Sequence, residues 1–68
     1  MDNITLLKSK VFWKKHPSSK RYFYFEDVNG MVLLRINNFP DEPLFTLING
    51  LEITDLEDKP PNWRIEGV

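Results

Sequence analysis

Two Asn-Gly pairs, each set between apolar runs, constrain this chain more than any other feature. Asn29-Gly30 lies between "YFYFEDV" and "MVLLRIN", and Asn49-Gly50 lies between "LFTLI" and "LEITDL". A type I′ turn needs positive φ at both central residues, and Asn-Gly reaches it at little steric cost. Apolar runs on both sides make each pair a predicted β-hairpin. The hairpins echo each other at a spacing of 20 residues: Phe25 with Phe45, Val28 with Ile48, Met31 with Leu51, Leu33 with Ile53, Ile36 with Leu56 and Pro40 with Pro60. Two copies are too few for a solenoid. The shared demands of two hairpins in one sheet account for the echo.

Period two sorts the strands into faces. Arg21, Phe23 and Phe25 share one face of the first strand, and Tyr22, Tyr24 and Glu26 share the other. Across the turn, Val32, Leu34 and Ile36 alternate with Met31, Leu33 and Arg35. The first hairpin is therefore apolar on both faces and belongs at the centre of a sheet. After the second turn, Leu51, Ile53 and Asp55 alternate with Glu52, Thr54 and Leu56. That strand is half solvated and belongs nearer an edge, where charges discourage stray pairing.

Upstream, "KSKVFWKK" is rich in β-branched and aromatic residues, and "HPSS" follows as a turn signal. The spacing predicts a strand over residues 8–15, paired with 20–28. The competing pattern is a helix from Ile4 to Lys14, with Ile4, Leu7 and Val11 on one stripe and Asp2 or Asn3 as its cap. "NNFPDEP" is a loop, since Pro40 and Pro43 donate nothing to a ladder. "EDKPPNW" is a second break, in which Pro60-Pro61 favours extended polyproline geometry. Trp63 and Ile65 are expected to return to the sheet, because a large aromatic otherwise stands exposed on a tail.

The expected fold is all-β. It is a single small domain over residues 1–68, an antiparallel meander of about five strands forming a twisted sheet or a small open barrel. So short a chain is marginally stable unless something staples it. It has no cysteine, which removes disulfides and thiolate metal sites. One histidine leaves a zinc site without its usual ligands. Stability must come from packing, a partner or self-association. Trp13, Tyr22, Phe23, Tyr24, Phe25, Phe39, Phe45 and Trp63 bring large areas to bury. No run approaches the roughly 20 apolar residues of a membrane span. The opening "MDNITLLKSK" lacks the order of a secretion signal, so the cytoplasm is the expected compartment, and the Asn3-Ile4-Thr5 sequon is read as chance.

Few residues offer chemistry. His16 sits near Ser18 and Ser19, but neither an orienting acid nor an oxyanion hole is visible. Asp55, Glu57 and Asp58 cluster at a strand end with no calcium-loop spacing. Asp41 and Glu42 read as a solvated loop. Gly30, Gly50 and Gly67 are isolated, so there is no phosphate loop. The Pro40-x-x-Pro43 spacing lacks the basic flank of a polyproline ligand. No enzyme activity, cofactor or metal is expected.

Charge is divided along the chain. Residues 1–35 carry a balance of +4 and residues 36–68 a balance of −5, giving −1 in all. Either the halves pair within the fold or one face meets a charged partner. The expected function is therefore that of a small non-enzymatic binding or accessory protein, such as an inhibitor or an immunity-type module. It would dock a protein, or a second copy of itself, through Tyr22, Tyr24 and Arg35 on the sheet and Glu52, Asp55, Glu57 and Asp58 at an acidic edge. The alternative partner is single-stranded nucleic acid. "KVFWKKHPSSKRYFYF" interleaves cations with aromatics, and sheet-borne aromatics stack bases while neighbouring Lys and Arg track phosphates. The residues for that role are Trp13, Lys14, Lys15, Arg21, Tyr22 and Tyr24.

Overall fold

Residues 1–67 are described by a computed structural model in which one short helix precedes six strands. Helix α1 spans Asn3–Lys8. The strands are β1 (Val11–Lys15), β2 (Tyr22–Asp27), β3 (Gly30–Ile36), β4 (Phe45–Asn49), β5 (Glu52–Leu56) and β6 (Trp63–Ile65). They form one sheet in the order β5-β4-β3-β2-β1-β6, curled into a half-barrel. The all-β class is as expected, with the first hairpin central and β5 at an edge. The expected five strands are corrected to six, and the wholly antiparallel sheet to a mixed one. β6 pairs with β1 in parallel, Val11 with Trp63 through Trp13 with Ile65. The chain leaves β5 at one edge and crosses to the other. On the way the Trp63 N–H donates to the Pro60 carbonyl (3.1 Å). Pro60-Pro61 thus opens a turn, with Pro61 in the position that suits proline, rather than running on as polyproline.

The segment before β2 holds both a helix and a strand. Asp2 caps α1 by accepting the Thr5 N–H (2.8 Å). The Thr5 hydrogen bonds, the side-chain one first, hold the Asp2 carboxyl below its ordinary value. At the other end the Ser9 N–H donates to the Leu6 carbonyl and the Ser9 hydroxyl to the Thr5 carbonyl. A helix this short cannot extend the expected stripe of Ile4, Leu7 and Val11. It buries Asn3 and Leu6, with Leu7 packed against the core, and leaves Ile4 exposed.

Both Asn-Gly pairs mark hairpins, but neither forms a type I′ turn. Asp27 pairs with Gly30, so the first loop is Val28-Asn29, and neither residue has positive φ. The Asp27 carboxylate accepts the Asn29 N–H (2.7 Å), and this side-chain turn sets the loop one residue earlier than expected. Gly30 then takes φ of 124° as the first residue of β3. Asn49 pairs with Glu52, so the second loop is Gly50-Leu51. Positive φ at Gly50 alone (62°) is the pattern of a type II′ turn. The two loops are therefore out of step with the sequence echo, which reflects similar demands and not duplicated geometry.

Alternation places the core on the inner face. Val11, Trp13, Phe23, Val32, Leu34, Phe45, Leu47, Trp63 and Ile65 meet there with Leu6 of α1. Each large side chain so buried contributes about 1.5–3 kcal/mol. The Trp13 ring lies edge-on to Trp63 (5.0 Å) and to Phe25 (5.5 Å). α1 then spans the two sheet edges. The Asn3 side-chain amide donates to the Glu52 carbonyl (3.2 Å) and to Thr54 Oγ1 (2.9 Å) on β5, and the Leu6 carbonyl accepts from Trp63 Nε1 (2.9 Å) on β6.

The two indoles differ in one respect. Trp63 Nε1 has its acceptor, whereas Trp13 Nε1 is buried without one among the described residues. Trp63→Phe leaves the Leu6 carbonyl without that donor, while Trp13→Phe removes an unpaired one. Urea unfolding is expected to show Trp63→Phe destabilising by about 1–3 kcal/mol more than Trp13→Phe. Equal losses would remove the hydrogen bond from the account.

Candidate binding face

The outer face is built by the residues that alternate with the core. Cross-strand pairing sets Ile53, Ile48, Leu33, Tyr24 and Lys14 in one row from β5 to β1. Beside it run Asp55, Thr46, Arg35 and Tyr22, and on the hairpin side Met31 faces Glu26. Ile53 is 64% exposed and Met31 51%, while Leu33, Ile48, Tyr22 and Tyr24 are half-buried by their neighbours. Among the described residues no element covers this row, and Leu6, Trp63 and Ile65 go to the inner face.

The structure brings Tyr22, Tyr24, Arg35 and Asp55 together on this face. Arg35 donates to Asn37 Oδ1, Asn37 Nδ2 to Thr46 Oγ1 (2.7 Å), and the Thr46 hydroxyl to Asp55 Oδ1 (2.9 Å). A cation and a carboxylate are thus joined through two neutral side chains across three strands. Asn37 is buried and fixes the chain of bonds. Sequence reading missed Asn37 and Thr46. The signal was there in the shared parity of Arg35 on β3 and Asn37 just after it, but only the β3–β4 register brings Thr46 to them.

The remaining expected residues separate. The Glu52 carboxylate accepts the Asn3 N–H and belongs to the attachment of α1. Glu57 and Asp58 lie exposed just beyond β5. Of the nucleic-acid set, Lys14 stands on the outer face with Tyr22 and Tyr24. Lys15 pairs with Phe23, which places it on the opposite side. Arg21 donates to the Ile36 carbonyl (3.4 Å) and to Asn38 Oδ1 (3.1 Å). Trp13 is a correction: it has no exposed surface and cannot stack on a base in this fold. Its parity on β1 sends it inward and its neighbour Phe12 outward, where Phe12 is 51% exposed.

His16 Nδ1 accepts the Ser18 N–H (3.1 Å), and the imidazole lies edge-on to Tyr24. An open hollow of about 540 Å³ beside this turn is lined by Lys15, Lys20, Ser18, Ser19 and Phe23 with no carboxylate. Among the described residues no group of three or more His, Cys, Asp or Glu side chains is placed to hold a metal ion, and no helix is long and apolar enough to cross a membrane. Comparison with family models, with curated proteins and with solved structures finds no match.

Thr46 tests whether the polar chain is a fixed part of the face. Thr46→Val keeps the shape but removes the acceptor of Asn37 and the donor to Asp55. The variant is expected to lose about 1–3 kcal/mol of stability in urea unfolding. A loss below about 0.5 kcal/mol would mean that water replaces both bonds without cost.

Proposed function

We propose that the protein is a non-enzymatic binding module that docks another protein on the outer face of β2–β5. The observation that carries this reading is the uncovered row Ile53, Ile48, Leu33 and Tyr24 on a sheet whose other face already holds the core. Surface apolar residues scattered singly need no explanation, but a contiguous set rimmed by polar groups marks an interaction site. The rim here is chemically defined. Arg35 and Tyr22 lie on one side of the row with Asp55 at its β5 end, and Glu57 and Asp58 follow beyond that strand. A partner that fits presents an apolar centre, with a carboxylate for Arg35 and a cation for Asp55. Tyr and Arg are the residue types that anchor such contacts. An inhibitor or immunity-type role agrees with a small domain whose binding groups sit on strands rather than on mobile loops.

The reading is tested by a photo-crosslinking amino acid placed at Ile53, or as a control at Ile4, in cells that make the protein. Ile4 is exposed to a similar degree (67%) but lies on α1. A discrete protein adduct from position 53 that position 4 does not give is the expected result. An adduct of twice the chain's mass would make a second copy the partner. Equal adducts from both positions, or none, would overturn the reading.

A further inference from the structure

We propose a second site, which adjoins the protein-docking row at Tyr24: a strip on β1 and β6 that binds single-stranded nucleic acid, with Phe12 as the stacking platform. Lys10, just before β1, continues the alternation of Phe12 and Lys14 on that strand, and Phe12 lies opposite Arg64 on the edge strand β6. All four are exposed. Phe12 and Arg64 form a ridge between two hollows. One, of about 440 Å³, runs to Lys10, Pro61 and Asn62, and the other, of about 430 Å³, runs to Lys59 and Glu66. What sets Phe12 apart from the other exposed apolar residues is the set of cations beside it, Lys10, Lys14, Lys59 and Arg64. Nucleic acid uses both parts. A base stacks on the ring, and the phosphates on either side meet Lys10 and Lys14 along the strand and Arg64 and Lys59 across it.

Carboxylates border the strip, with Asp58 beside Lys59 in sequence and Glu66 in the second hollow. Glu66 Oε1 is held by the Lys15 N–H (2.8 Å). Glu26 shares the outer face at the hairpin end of β2, beside Met31. Lys14 pairs with Tyr24, so a strand following β1 meets a second aromatic ring at that end. An edge position also suits an extended, flexible ligand, because among the described residues no further strand lies beyond β6. A duplex holds its bases away from a lone ring on a convex sheet, so the single strand is the form this strip fits.

The test is a titration of a fluorescently labelled, mixed-sequence single-stranded DNA with the intact protein, followed by anisotropy at low and at moderate salt. Saturable binding that weakens with salt is expected. Phe12→Ala should weaken it about tenfold, Phe12→Tyr should retain it, and Phe39→Ala should leave it unchanged, because Phe39 is equally exposed but lies in the loop after β3. Arg64→Gln, which keeps the ring and its packing, should reduce the logarithmic salt slope by about 0.7. Thermal melts of each variant confirm that the fold is retained. Absence of binding, binding indifferent to both Phe12→Ala and Arg64→Gln, or equally tight binding of duplex would overturn the proposal. So would polyglutamate binding with the same dependence on Phe12, which would make the ligand an acidic polypeptide. None of these outcomes bears on the crosslinking from position 53.

Discussion

The fold depends on closing a sheet that has only one core-forming face. With so few residues there is no second layer to pack against it, so the inner face must bury itself by curling. Curling brings the two edges, β5 and β6, within reach of one short helix. α1 joins them, Asn3 to the backbone and side chain of β5 and the Leu6 carbonyl to the Trp63 indole. Leu6, Trp13 and Trp63 fill the space between. The helix is too short to be stable by its own propensity and exists because it completes this core.

The same closure explains why the outer face is left bare. Trp63 and Ile65 turn inward through β6 and Leu6 through α1. Among the described residues no element packs over Tyr24, Leu33, Ile48 and Ile53. Burial on one side therefore decides exposure on the other, and a single parity separates the core from the outer surface. Changes to Val32 or Leu34 act on the fold, whereas changes to Met31 or Leu33 act largely on the surface. On the outer face, Lys14 and Arg64 stand on β1 and β6 and Asp55 on β5.

Much of this was legible in the chain because it is local. The Asn-Gly pairs, the alternation of Phe23 and Tyr24, and the half-solvated β5 follow from neighbours in sequence. Turn type was not legible, because it rests on one contact, the Asp27 carboxylate on the Asn29 N–H, that competes with the preference of Asn-Gly. The parallel pairing of β6 was not legible either. Three residues carry little pattern, and their place beside β1 is fixed by Trp13 and Trp63 meeting across the core. The same long-range packing turns Trp13 inward and leaves Phe12 exposed. Val11 and Trp13 against Phe12 and Lys14 was a readable alternation, but which pair faced inward depended on a strand more than 40 residues away.

The central claim is that adjacent residues on one strand face a closed core and an open surface. It is tested most directly by solvent paramagnetic relaxation, measured on methyl-labelled protein with a soluble, uncharged gadolinium chelate. Met31 on β3 and Ile53 on β5 are expected to broaden strongly, while Val32, Leu34 and Leu47 stay sharp. Uniform broadening along β3, or broadening of Leu34 ahead of Met31, would contradict the account.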